Sequence, residues 1–333
     1  MISFERIDMK DMNWEEIPEI GELNIFQSLP WINFLSTVHK IEPVILTVKS
    51  NEQICGYFFG LIVKKFGLRI LGSPFRGWMT YFMGFNLKPT VSLNEVLQAF
   101  PAFVFGQLKC HYLEIMDRCW NGDAGVDLRY KVDHLPWFAL DLVPNEDAIF
   151  ARMKDTGRRG IRKAIKSGVI IEEANDLDFA DDYFAQFQAV MSNKALQPSY
   201  GLERVQQLIK DIFPTGSLLL LRARNPNGHC IATGIFLILN NTAIYWGGAS
   251  WKQYQSLHPN DLILWQAMKT LKGRGAQILY LGGEAEQFKL KFGSVDAQIY
   301  RLRKANNFLL DRVLQFAAFS TNPRYRNLVL RKI

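Results

Sequence analysis

The chain has 333 residues, 48% of them hydrophobic and 21% charged, with a formal net charge of +7. These values exclude a disordered or fibrous chain and suit two domains, each long enough to bury its own core. No run of about 18 apolar residues is present to span a bilayer, and charges occupy the opening positions where a secretory signal needs an apolar stretch. Cys55, Cys110, Cys119 and Cys230 are scattered without a C-x-x-C pair, so reduced thiols in a cytoplasmic setting are expected. The positive balance favours an anionic partner: a nucleotide cofactor, a lipid-linked sugar, an acidic membrane surface or RNA.

In chain order, helices are predicted over 14–20 and 28–39. Strands at 43–48 and 54–60 then flank a polar turn at Ser50, Asn51 and Glu52. The same plan returns at 217–223 and 230–236, around a turn at 225–228. Each second strand carries a glycine, Gly56 or Gly234, with a cysteine, Cys55 or Cys230, beside it. The repeat implies a duplicated architecture. A loop from Gly72 to Trp78 reads either as a wall of an acceptor site between the halves or as a tight connection that buries Trp78. Strands follow at 80–83, 110–116 and 132–141, with a helix at 91–105 and a loop at 121–127. The strand at 132–141 is expected to close the first half, and Pro144 and Asn145 open the second.

The second half begins with its most charged helix, 154–166. Lys154, Arg158, Arg162 and Lys166 recur there at i, i+4, i+8 and i+12, with Arg159 and Lys163 beside them. Like charges at that spacing repel. The stripe is therefore either a phosphate-contacting surface, which arginine suits through bidentate bonding, or a solvated face. Helices at 178–195 and 202–213 flank a turn containing Tyr200. The strand at 242–246 is closed by Gly247 and Gly248. A helix over 260–272 presents Leu264, Met268 and Leu271 on one face. The strand at 277–281 ends at Gly282 and Gly283, and a basic-aromatic hairpin holds Phe288, Lys289 and Phe292. This β-α-β spacing makes the two strands parallel. Unpaired amides where the helix starts would attract an anion such as a pyrophosphate. A strand at 297–302, a helix at 308–319 and a tail with Arg324, Arg326, Arg331 and Lys332 end the chain. That apolar helix with its basic tail either packs onto the body or touches an anionic membrane. G-x-S-x-G, G-x-x-x-x-G-K-[ST], H-E-x-x-H and G-x-G-x-x-G are all missing, and the histidines show no metal-ligand spacing.

One segment carries a resemblance. Gly248, Ala249 and Ser250; Leu257, His258, Pro259 and Asn260 with Leu264 and Trp265; Tyr280, Leu281, Gly282 and Gly283; and Phe288 and Lys289 with Phe292 and Gly293 stand in an order and spacing that resemble the Fem-like branch of the GNAT acyltransferases. That branch includes CelD-like enzymes and peptidoglycan-bridge aminoacyl transferases. Arg158, Ile161, Arg162, Lys163 and Ala164 match its basic helix. His258 stands where the branch often has Arg, and Leu281 where it often has Asp.

The resemblance implies an α/β fold of tandem GNAT-like domains, 1–144 and 145–333, each a mixed central sheet flanked by helices, with the donor site in the second. It implies acyl transfer from acyl-CoA, acetyl-CoA in the simplest case, to an amine. The expected acceptor is an amino sugar on a nucleotide or lipid carrier, at the inner face of the membrane. On this reading Trp246, Gly247, Gly248, Leu257, Pro259, Asn260 and Asp261 bind the donor. Backbone amides near Trp246 with Lys289 stabilise the oxyanion. Glu284, Glu286 or His258 is the base, with His258 alternatively a donor to the cofactor phosphates, and Tyr245 is a candidate acid. Arg158, Arg159, Arg162, Tyr200, Gly283 and Phe288 border the acceptor. Two alternatives stay open: an aminoacyl-tRNA donor, and a non-catalytic scaffold to which Leu281 in place of Asp would point.

Overall fold

The computed structural model describes residues 1–312 except 15, 16, 66, 76, 119, 121–128, 284, 285, 309 and 311. The loop expected at 121–127 and the basic tail after 312 lie outside the described residues, as does most of the helix expected at 308–319. The first half runs β1 (Ile2–Ile7), α1 (Ile17–Ile20), α2 (Leu29–His39), β2 (Glu42–Ser50), β3 (Gln53–Lys65), β4 (Leu68–Ser73), β5 (Gly84–Leu87), α3 (Leu93–Gly106), β6 (Tyr112–Asp117) and β7 (Lys131–Asp141). The second runs α4 (Glu146–Arg152), α5 (Asp155–Lys166), β8 (Ile170–Glu173), α6 (Phe179–Asn193), α7 (Leu202–Ile212), β9 (Leu218–Arg224), β10 (Cys230–Leu239), β11 (Thr242–Ser250), α8 (Pro259–Gly273), β12 (Ile278–Gly282), α9 (Glu286–Leu290) and β13 (Val295–Ala305). Side-chain caps set several helix starts: Ser28, Ser92 and Asn145 accept hydrogen bonds from the amides of Trp31, Glu95 and Ala148.

All the described strands join one 13-stranded sheet in the order β1-β2-β3-β4-β6-β13-β7-β12-β11-β10-β9-β8, with β5 off the path beside β3. The duplication read from the two hairpins is real. β2–β3–β4 and β9–β10–β11 are antiparallel runs. Each leads through a helix, α3 or α8, to a parallel partner, β6 or β12.

The strand over 132–141 does not close the first half. β7 pairs with β12 and β13 of the second half, while β13 fills the free edge of β6. Assignment by chain order fails here because a strand takes whichever ladder edge is open. Charge fixes the register of the exchange: Arg301 on β13 meets the buried Glu114 of β6, and Arg301 and Arg303 reach Asp133 of β7.

Strand alternation then divides the core. Phe59 and Leu61 of β3 face the same way as Ile235 and Leu237 of β10, into one cluster shared by both halves and covered by α2, α6 and α7. Phe58 and Ile62 face the opposite way, under α3. Phe236 and Ile238 do the same under α8.

Three further expectations are corrected. Residues 80–83 form no strand. β4 and β5 lie end to end along β3, and 74–83 is an excursion between them. At the corresponding point of the second half, one residue bulges: Phe236 pairs with Tyr245 and Ile235 with Gly247, leaving Trp246 extra. β11 therefore runs through Gly247 and Gly248 to Ser250 instead of ending at them. The expected basic-aromatic hairpin is the short helix α9.

Arg222 ties the outer edge of the second half together. Its side chain is 4% exposed, meets both oxygens of Asp176 at 2.7 Å and reaches Asp182 at 2.7 Å and Glu172 at 3.4 Å. Hydrogen bonds from Arg224 to Glu172 and from Arg222 to Asp176 hold both carboxyls below the usual carboxylate range. Arg222→Met leaves Asp176 and Asp182 without their cation, while Glu172 keeps Arg224, and is expected to cost roughly 3 kcal/mol, read as a fall of several degrees in the unfolding midpoint; an unchanged midpoint would contradict this.

Candidate functional site

The site grows from the point where β11 and β12 part. They pair only from Thr242–Ile278 to Ile244–Tyr280, yet β11 continues to Ser250. On its other side β12 follows β7 as far as Gly282–Phe138. Beyond Gly282 no described strand fills the gap between the edges of β11 and β7. Strand edges without a ladder partner are where a strand-like ligand pairs.

At the end of β12 lies Lys289, only 4% exposed. Its ammonium sits 5.6 Å from the Phe138 ring centroid. Phe288, half-buried on the same short helix, stacks edge-on with Phe292, and the Lys291 ammonium lies 4.7 Å from its ring centroid. Glu284, expected as base, lies outside the described residues.

The bulge is gripped from the first half. The Trp246 indole donates to the Met79 carbonyl at 2.9 Å, and the Tyr81 hydroxyl donates to the Trp246 carbonyl at 3.1 Å. The Gly72–Trp78 loop thus opens the excursion that forms the inter-half wall, with Trp78 partly buried against the shared core. Trp246 also packs on Tyr200, ring centroids 5.5 Å apart, and Tyr200 meets the Tyr183 hydroxyl at 2.7 Å. Burial pushes Tyr183 well up, and Tyr200 and Tyr245 to about 12. All three phenols stay protonated at neutral pH. The structure therefore brings Tyr245, Trp246, Gly247 and Tyr200 together, and adds Tyr81 and Tyr183, which the sequence did not single out.

The start of α8 is less open than expected. Pro259 has no amide proton, and the Asp261 and Leu262 amides donate to the His258 carbonyl at 3.1 and 3.4 Å. Asp261 is buried, paired with Lys291 and 3.2 Å from His258 Nδ1. Its carboxylate occupies the positive end of the helix where an anion was expected. His258, 38% exposed, is oriented by this pair, and Asn260 ties the helix to Ser250 at 2.9 Å. Leu257 is half-buried and Gly248 exposed.

α5 lies against this same corner. Gly157, Gly160, Ile161 and Ala164 form its buried face. A Cβ on Gly160 would stand 2.0 Å from Asp261 Oδ2, so only glycine allows the approach. The basic stripe is split. Arg158 is spent locally, donating to the Ala151 and Met153 carbonyls and pairing with Asp155. Arg162 lies over Phe150 at 5.4 Å, and Arg159 and Lys163 are exposed. These cations flank the start of α8.

Sequence reasoning also missed Arg204, His39 and Trp137. Arg204 is 7% exposed. It donates to the Trp78 carbonyl, lies over Tyr200 at 5.6 Å and Phe34 at 5.9 Å, and leaves Nε without a partner. No carboxylate pairs with it among the described residues. The available signal was its place in the i, i+4, i+8 row with Leu208 and Ile212, where an apolar residue belongs. His39 stacks on Trp78 at 3.9 Å, its Nε2 also unpartnered.

Residues 151–290 match the family model described as an acetyltransferase (GNAT) domain. No curated protein matches the chain. Among solved structures, FemX is 12% identical over 89% of this chain and 96% of its own, with a TM-score of 0.71. A tandem GNAT protein from the clavulanic acid biosynthesis pathway is 8% identical over 92% and 99%, TM-score 0.53. L-PGS from Bacillus licheniformis is 10% identical over 91% and 95%, TM-score 0.52. At these identities the likeness is one of fold. Among the described residues no group of three or more His, Cys, Asp and Glu side chains is placed to hold a metal ion. No described helix is long and apolar enough to cross a membrane.

Burial and, secondarily, the Arg204 charge lower the His39 pKa to about 4. His39 is then neutral in the fold, while the unfolded chain takes up its proton below about pH 6.5. Stability from this site is full above that pH and is lost as pH falls toward 4. Between about pH 7.5 and 5 the unfolding midpoint should fall, and less steeply in His39→Gln; an unchanged slope would show that His39 titrates freely.

Proposed function

We propose that this chain, whose residues 151–290 match the GNAT acetyltransferase domain, is an acyltransferase that moves an acyl group from a carrier to the amine of an anionic acceptor in the cytoplasm. The observation that carries this reading is the gap between β11 and β7, with the Trp246 bulge on one wall and buried Lys289 at its end. The donor's acyl arm lies in this gap along the open edge of β11. Its carbonyl then meets amides freed by the bulge and the Lys289 charge, which stabilise the oxyanion formed when the amine attacks. Tyr245, protonated at neutral pH, returns a proton to the leaving group. Glu284 and Glu286 are the carboxylates we assign to removing the amine's proton, with Leu281 standing where the family often has Asp.

The acceptor enters between the halves. Arg204 supports this: a buried guanidinium without a carboxylate is costly unless an anion completes it. A phosphate on a nucleotide- or lipid-linked amino sugar has the chemistry to do so. This moves the acceptor's anion away from Arg158, whose bonds are already made.

Acyl-CoA is the donor in the simplest form of the reading. A second form, an aminoacyl-tRNA donor, is favoured by a specific observation. Few amides are free at the start of α8, whereas exposed cations of α5 flank it, and cations without an amide cradle suit a long polyanion. His258 sits among these cations as a phosphate contact more than as the base.

Thermal unfolding with acetyl-CoA, CoA and mixed aminoacyl-tRNA tests the donor. A ligand at about a hundred times its Kd stabilises by roughly 2.7 kcal/mol, several degrees here. A shift with acetyl-CoA selects the first form and a shift with charged tRNA alone the second; no shift with any of them refutes both. Arg204→Gln should raise the acceptor KM by about tenfold or more and leave the donor KM alone. Equal effects on the two would remove Arg204 from the acceptor site.

A further inference from the structure

One polar group in the gap has no partner. Trp137 Nε1 is buried and makes no hydrogen bond among the described residues. An indole N–H left unpaired away from water forfeits its hydration without replacement, and buried tryptophans usually find an acceptor. Trp137 stands on β7, the strand that the first half lends to the second, just beyond the last β7–β12 pair. Its ring lies over the end of β12. A Cβ on Gly283 would be 3.3 Å from Trp137 Cε3 and 2.5 Å from the Pro136 carbonyl, so glycine is what admits the ring.

The position a Cβ would take on Gly282 is 3.8 Å from Trp137 Cζ2, two bonds from the indole nitrogen, and 3.5 Å from Lys289 Nζ. The indole and the ammonium therefore converge above one glycine. Tyr81 closes the far side, its ring edge-on to Trp137 with centroids 5.0 Å apart, while its hydroxyl holds the Trp246 carbonyl. The end of the gap thus gathers aromatic rings, the Lys289 ammonium and an N–H with no partner among the described residues.

We propose that the Trp137 indole N–H is a catalytic hydrogen-bond donor to the acyl carbonyl oxygen, acting together with Lys289. This rests on the acyl-transfer reading above. The amine nitrogen attacks the carbonyl carbon, and the π pair moves to the oxygen, where the indole N–H and the ammonium hold the negative charge. The pair then returns, the carbon–sulfur or carbon–oxygen bond to the carrier breaks, and the carrier leaves with the proton supplied to it. The amine's own proton goes to the base. A donor fixed before the reaction costs nothing to orient in the transition state. Carrying it on β7 makes the first half necessary to chemistry performed in the second.

Replacing Trp137 by β-(3-benzothienyl)alanine removes only the N–H and keeps the bicyclic shape. The expected result is a fall in kcat of about 100-fold, with an unchanged donor KM and an unfolding midpoint equal to or above that of wild type, because an unsatisfied donor is gone. A kcat within twofold of wild type overturns the proposal. A second readout does not need turnover. The indole ¹H resonance of Trp137, identified by its loss in Trp137→Phe, should move downfield when acetyl-CoA or a charged tRNA is added at a concentration that raises the midpoint. A donor that raises the midpoint without moving this resonance overturns the Trp137 role and leaves the acyl-transfer reading standing. Failure of every donor to raise the midpoint overturns both, since the indole would then have no carbonyl to meet.

Discussion

The exchange of β7 and β13 is the constraint on which the rest of the molecule depends. A duplicated chain could fold as two separate sheets, each closing its own edge. Here each half gives its last strand to the other, and the open ladder edges are satisfied across the duplication. Backbone bonding of this kind cannot be undone locally without exposing a row of unpaired amides and carbonyls. The two halves are therefore held in one sheet with one shared core face. Their relative placement is set by strand register rather than by a soft side-chain interface.

That rigidity gives the site its parts. The duplicated break in the ladder is a ten-residue excursion, 74–83, in the first half and the single residue Trp246 in the second. Because the halves are locked, the excursion meets the bulge, and Tyr81 and the Met79 carbonyl grip Trp246 from both its polar ends. The bulge keeps β11 from rejoining β12, so the gap stays open where a paired sheet would have closed it. The first half has filled its own equivalent position with chain: the Gly84 amide donates to the Ser73 hydroxyl at 2.8 Å and the Met83 amide to the Met116 carbonyl at 3.3 Å. The duplication has become a division of labour, one half holding the gap and the other supplying its wall.

Charge is distributed to match. Acid and base are paired wherever the sheet needs fixing, as at Arg222 and Arg301. Arg204, between the halves, has no carboxylate partner among the described residues. A buried cation held against aromatic faces and a carbonyl, without a carboxylate, is a poor way to stabilise a fold and a good way to recognise an anion. The start of α8 shows the reverse: Asp261, Lys291 and His258 complete one another there, and the helix end is no longer free to do so for a ligand.

The local elements and the duplication follow from periodicity and turn chemistry within a few residues, so they can be read along the chain. The paired hairpins at β2–β3 and β9–β10, the helix faces of α5 and α8 and the parallel β11–β12 unit were all legible this way. So was the cluster from Tyr245 to Lys289, whose spacing carries the family resemblance. Which edge β7 and β13 fill is settled by the assembled fold, since any exposed strand offers the same donors and acceptors to any neighbour. That fold also decides which cations are free: Arg158 and Arg162 look alike in a helical stripe, but a carbonyl cluster takes the first and an aromatic ring the second. Arg204 and Trp137 read as ordinary members of a helix and a strand. What distinguishes them is the missing partner, and a missing partner is a property of the whole packed neighbourhood, formed from segments far apart in the chain.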